Sequence, residues 1–342
     1  MKFVTNCRTT AMGILPHKDV DKALELAFSL DIPFWPQLPK MSYWEDMYVQ
    51  VSENFPGTRI DLENQRIDFS KERFYEELPA FIERMEEDDL YRLSEQYSAV
   101  YHKFLERDLS GYFAIRGQIE GPISYGFSVK DENDRPLIYD DEVRELLIDF
   151  MAKKVNVMGQ ELKAKNKNAF MFVDEPGMQF IFSSMSGYAE AIAREDLDKF
   201  FSQVEGERGI HLCGNPDWDF LLQTKMDVLS FNAFGTGERF VNYIPSLKAF
   251  LAQGGTVGWG ITPANFDEFT TTDLDQMDDY LEMLWDRLEK EGILREEFLP
   301  KSLLMPATCA LLNPDKGETV EKCYEDLREL SARIRARYNL KD

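Results

Sequence analysis

The 342-residue chain carries 62 Asp and Glu against 39 Lys and Arg, a net charge of −23, so nucleic acid and anionic membrane surfaces are not expected partners. With 44% hydrophobic residues it can build two ordinary domains or one large α/β barrel, and no run approaches the roughly 18 apolar residues of a membrane span. Met1 to Asn6 lacks an apolar signal core, and four Cys in this length make no disulfide framework, so a reducing cytoplasm is the expected setting.

Residues 9–13 read as a first strand, and residues 19–29 as a helix with Asp19 at its N-cap. Residues 32–38 are a second strand. Residues 48–51, 58–62 and 66–69 alternate polar and apolar around Asn54, Pro56, Gly57 and Asn64, which predicts a hairpin-like excursion. A long helical region follows at residues 71–107, with breaks near Pro79 and Asp88. Residues 112–117 are the third strand and 140–165 a helix, then 169–173 the fourth strand and 194–204 a helix. Strands at 208–212, 228–231, 256–260 and 302–306 alternate with helices at 216–223, 244–253, 274–291 and 319–338. Acidic runs at 83–89 and 273–279 are solvated helix faces. Eight strands alternating with helices predict an α/β fold, one (β/α)8 TIM barrel over residues 1–342. A doubly wound sheet is the rival, but no Gly-rich dinucleotide loop follows any strand.

In such barrels the reacting groups sit where strands run into loops. His17, Gln37, Gln118, Asp174, Glu175, His211, Cys213, Asn232, Thr262 and Cys309 all fall at or just beyond expected strand ends. His211 and Cys213 are two apart on one strand, so their side chains share a face. Both bind zinc, at about 2.0 Å to nitrogen and 2.3 Å to sulfur. Barrel closure brings Cys309 to the same rim, giving three ligands and an open fourth position, the pattern of a catalytic zinc. With only three His and four Cys in the chain, this joint placement is not casual. Each group also has a bland reading: Asp174 and Glu175 as loop caps, Asn232 as a structural amide, His17 as a loop residue. Cys7 and Cys323 have no partners at ligand spacing and are expected to be inert.

Four segments, Gly13-Ile14-Leu15-Pro16-His17, Asp174-Glu175-Pro176, His211-Leu212-Cys213 and Pro306-Ala307-Thr308-Cys309-Ala310-Leu311, resemble the uroporphyrinogen decarboxylase and cobalamin-independent methionine synthase superfamily. Their order is most similar to the C-terminal, zinc-bearing barrel of that synthase. His211-Leu212-Cys213-Gly214-Asn215 also resembles the zinc segment of corrinoid-dependent methyltransferases of methanogens. The resemblance implies that His211, Cys213 and Cys309 hold Zn2+ and that Asp174 holds the amino group of a small thiol substrate. It also implies that the loop at residues 13–16, with Gly13 and Pro16, lines the substrate; Gln37 and Gln118 are candidate substrate contacts from their place at strand ends.

Two features depart from the pattern. Asn232 stands where the synthases have a glutamate ligand, and their separate N-terminal barrel has no counterpart, so a polyglutamylated folate is not expected. The implied activity is methyl transfer to a homocysteine-like thiol from a corrinoid, delivered by a corrinoid protein, or from a folate-type pterin. Asp174, Glu175, Asn232 and His17 are the candidate catalytic groups. A metal-free decarboxylase and a non-catalytic corrinoid- or metal-binding accessory barrel are the alternatives.

Overall fold

The protein is described by a computed structural model covering residues 3–341 except 182, 184 and 185. Its described strands are β1 (Arg8–Thr9), β2 (Thr58–Asp61), β3 (Arg66–Phe69), β4 (Arg116–Glu120), β5 (Phe170–Asp174), β6 (Arg208–Leu212), β7 (Val228–Phe231), β8 (Thr256–Thr262) and β9 (Ser302–Pro306). Seven of them form one parallel sheet in the order β1-β9-β8-β7-β6-β5-β4, and β2 and β3 form the expected hairpin. Every residue of β4, β5, β7, β8 and β9 is buried, as a parallel sheet covered on both faces requires. The sheet curls. On its inner face lies a small cluster including Met12, Ile32, Phe170, Phe172, Leu303 and Met305. A far larger cluster fills the space between sheet and helices, where Trp259 of β8 meets Trp285 of the helix Leu274–Lys290 edge-on.

The expected second strand at residues 32–38 is not a strand. Pro33 and Pro36 have no N–H to give a ladder. The segment instead makes single parallel bridges, Phe34 to Arg116 on one side and Gln37 to Ile14 on the other. The Arg116 N–H donates to the Pro33 carbonyl and the Gln37 N–H to the Gly13 carbonyl. The architecture observed is therefore a curled seven-stranded parallel sheet, barrel-like, with a proline-interrupted segment between its two edge strands.

Asp19, Asp140 and Asp273 cap the helices Val20–Phe28, Asp141–Lys165 and Leu274–Lys290, the last with Gln276 completing a capping box. Residues 48–51 are not extended. They lie in the helix Met47–Ser52, which Asp46 nucleates by accepting from the Tyr48 N–H. Pro79 does not interrupt the helix Lys71–Arg84, and the break comes after Arg84. The third expected strand, placed at 112–117, starts four residues later at Arg116, because a turn from Leu109 to Tyr112 occupies its predicted beginning. Three short helices absent from the expectation, Pro122–Ser128, Ala233–Phe240 and Phe266–Thr270, each follow β4, β7 or β8 closely, on the rim where the candidate residues lie. No described helix is long and apolar enough to cross a membrane.

Candidate metal and substrate site

Strand register sets the site. Glu120 of β4 pairs with Asp174 of β5, Asp174 with His211 of β6, and His211 with Ser230 of β7. Paired residues of parallel strands point to the same side, and neighbouring strands are about 4.8 Å apart. Four polar side chains thus stand in one row across the concave face, near the C-terminal ends of their strands. All four are buried.

On the sulfur side, His211 is held by both ring nitrogens. Nδ1 lies 2.9 Å from the Ser230 hydroxyl and Nε2 lies 3.1 Å from the Cys213 sulfur. The Ser230 hydroxyl donates its hydrogen to the Met305 sulfur at 3.0 Å. Ser230 can then only accept from His211, so Nδ1 carries the proton and a bare Nε2 faces Cys213. Burial, with the positive charge of Arg116, lowers the imidazole to about 3, which keeps it neutral. A neutral ring whose far nitrogen is fixed by a second group is the form that binds metals.

The Cys213 and Cys309 thiols lie close enough to perturb each other's ionisation. That contact lowers Cys309; together with burial it raises Cys213, so one thiol of the pair releases its proton more readily than the other. Cys309 lies three residues beyond β9, so the sheet's curl and the loop's course bring the last expected ligand to the first two.

Among the described residues, no three His, Cys, Asp or Glu side chains already surround a common point as a metal cage. What stands there is a chain of contacts, His211 to Cys213 to Cys309. Its 3.1 Å N···S separation is a few tenths short of the roughly 3.5 Å between two ligands of one tetrahedral zinc. One imidazole and two thiols, the imidazole already in the ligating tautomer, fit zinc chemically.

On the acid side, two adjacent carboxyls differ. Glu175 accepts from the N–H groups of Ile123 (3.1 Å) and Ser124 (2.9 Å) and from the Ser124 hydroxyl (2.6 Å). It thereby caps the start of the helix Pro122–Ser128, and burial still raises it to about 7 against those donors. Asp174 makes no side-chain hydrogen bond with a described residue. Burial raises it to about 7, Arg116 pulls it down and Glu175 pushes it up. Glu120 is fully buried and well above the usual carboxylate range, chiefly from burial and then from the charges of Asp174 and Glu175. Its Oε1 has no partner. The balancing cation, Arg116, lies below the row. It donates to Thr10 (3.1 Å) and Gln118 (3.0 Å), and its guanidinium lies 4.7 Å from the Phe172 ring centroid.

The other expected residues are mostly framework. Gln118 donates to the Trp35 carbonyl at 2.7 Å and accepts from Arg116, so both ends of its amide are engaged. Gly13 touches that amide: a Cβ there would lie 2.2 Å from the Gln118 nitrogen. Gln37 donates to Gln50 at 2.7 Å while its oxygen has no partner. Asn232 caps the helix Ala233–Phe240, accepting from the Gly235 N–H at 2.8 Å. His17 lies 3.2 Å from Glu321 and, with Pro16, lines a cavity beside the loop after β9. Cys7 and Cys323 are buried, Cys323 against Thr262 at 3.2 Å and pushed up to about 12 by burial.

Sequence reasoning missed Glu120, Ser230, Met305 and Arg116. Glu120 was obscured by the misplaced third strand, which left it in a loop. Ser230 and Met305 carry no local signal, and only the register reveals them.

No protein-family model and no curated protein sequence matches the chain. Solved structures do. A methyltransferase from Methanosarcina mazei aligns over 96% of this chain and 94% of its own, with 14% identity and a TM-score of 0.56. A B12-independent methionine synthase from Shewanella sp. W3-18-1, in complex with selenomethionine, aligns over 96% and 98%, with 13% identity and a TM-score of 0.56. At these identities the likeness is one of fold.

Proposed function

We propose that the protein is a zinc-dependent methyltransferase that methylates the sulfur of a small amino-thiol. The observation that carries this reading is the single row in which a metal-ready imidazole, joined to two thiols, stands next to an under-bonded acid pair. His211, Cys213 and Cys309 would hold the ion. When bound, zinc would keep an incoming thiol as its thiolate.

Asp174 and Glu120 would receive the substrate's ammonium group. Two buried carboxyls, Asp174 without a side-chain donor among the described residues and Glu120 with one oxygen unpartnered, are matched to a ligand bringing several N–H groups and a positive charge. Charge on the ligand would return both groups to their ionised form, so the ion pair forms only in the complex. Glu175 holds the loop that carries this pair and does not itself contact substrate. Ser230 fixes the ring of His211.

In the transfer a sulfur lone pair forms the new S–C bond while the bond from methyl to its donor breaks, its electrons staying on the donor. A free thiol with pKa about 8.5 is only a few per cent thiolate at neutral pH, so holding it ionised is worth about 2 kcal/mol. Alignment with the donor can supply about 7 to 11 kcal/mol, so positioning outweighs activation. A corrinoid or a pterin is the donor class.

Metal analysis of the purified chain tests the reading. About one zinc per chain is expected, lost together with thiol binding in Cys213→Ser and in Cys309→Ser. Stoichiometric zinc surviving in both variants overturns it.

A further inference from the structure

A cavity of about 650 Å³ opens between the loop after β1 and the loop after β9. Leu311 and Leu312, two and three residues past Cys309, form part of its wall, and Leu312 is 84% exposed, the most exposed large hydrophobic side chain among the described residues. Its size is that of a small-molecule site. Opposite the leucines stands His17. Its side chain is buried, it accepts or donates at Nε2 toward Glu321, and its Nδ1 has no partner although no water reaches it.

The charges around this cavity balance in number but not in pairing. Four lysines and four carboxylates line it. Asp19 accepts from the Asp21 and Lys22 N–H groups, and Asp315 from Gly317 N–H and from Thr319 N–H and hydroxyl. Glu321 is held by Lys22 at 2.6 Å and by His17 at 3.2 Å. Lys18, Lys40 and Lys316 form no ion pair with a described residue, although Asp19, Asp315 and Glu318 keep their charges in the same lining. In a chain of net charge −23, three lysines without an ion pair are gathered around this one cavity. Lys316 and Gly317 both have positive φ, +60° and +133°, and the turn they make brings Gly317 against His17, where a Cβ would lie 3.3 Å from Nε2.

We propose that this cavity is a second ligand site, for a small molecule with an apolar body and two or more acidic groups. The leucines and Pro16 take the body, and Lys40, Lys316 and Lys18 take the acidic groups. Its use as the seat of the methyl donor rests on the proposed function, because the cavity wall continues from Cys309. The binding chemistry does not.

The test is calorimetric titration of the full chain with two probes, benzene-1,3,5-tricarboxylate and phenyl phosphate, which separate a carboxylate-bearing from a phosphate-bearing ligand. Saturable binding of at least one probe is expected. It should weaken about tenfold or more in the double variant Lys40→Glu with Lys316→Glu, less in the neutral pair Lys40→Gln with Lys316→Gln, and not at all in the remote Lys290→Glu. All these lysines are exposed, so folding is not at stake. Failure of both probes to bind, or equal binding by the double variant and the parent, overturns the site. Neither titration involves zinc or a thiol. A lost zinc site with intact probe binding indicts the proposed function, and the reverse indicts this cavity.

Discussion

The acid sector of the rim, over β4 and β5, and the sulfur sector, over β6 and β9, are built in opposite ways. Glu120 and Asp174 are buried with little to bond, and both are raised by that burial. His211 already bonds to Cys213, the Cys309 thiol stands close enough to perturb Cys213, and Ser230 with Met305 fixes the ring from behind. Hard oxygen donors left open match a ligand that arrives with its own charge and donors. Soft donors held in a chain match an ion that replaces hydrogen bonds with coordination bonds. Within the acid sector the same contrast repeats between neighbours. Glu175 has three donors and organises a loop, whereas Asp174 has none.

The largest expected effect breaks that last contrast. Glu175→Ala would leave two buried N–H groups and a hydroxyl without their acceptor, and should cost about 2 to 4 kcal/mol of stability. Denaturant unfolding measures it, and a loss below about 1 kcal/mol would put Glu175 with Asp174 among the open groups.

Asp174→Asn should do the reverse. It removes no hydrogen bond, so stability and zinc content stay, while affinity for amino-thiols falls about ten- to a hundredfold. Comparing a thiol with and without an amino group sharpens the result, since only the amine-bearing one should respond. Equal affinity of parent and variant for every amino-thiol removes Asp174 from the substrate site.

The smallest effect concerns the sulfur sector. Asn232→Ala deletes a helix cap and should cost about 0.5 to 2 kcal/mol, and Asn232→Asp should recover most of it. Zinc affinity should be unchanged in both. A change in metal affinity at constant stability would instead make Asn232 a ligand, as the resemblance to the synthases first suggested.

Much of this molecule was legible from local pattern. The hairpin β2–β3, the cap at Asp19, and the strands β5, β6, β7 and β9 lie within a residue of where periodicity and turn residues place them. His211 and Cys213 are grouped by scarce residue types and spacing, whereas Cys309 joins them only through the expected closure of the sheet. The failures were equally local. Residues 48–51 looked extended because a six-residue helix is too short to show a period. Residues 32–38 looked like a strand because apolar content is visible in sequence and a missing N–H at Pro33 and Pro36 was given too little weight.

What sequence by itself determined, then, was composition, periodicity and which groups are able to bind a metal, because these depend on each residue and its near neighbours. Tertiary structure alone decided which groups are open. Register placed Glu120 beside Asp174 and Ser230 behind His211, and the bonds made across long separations committed Glu175, Gln118 and Asn232 to the framework. A carboxylate or an amide carries the same chemistry in either role. Only the donors that the fold brings to it determine whether anything is left over for a ligand.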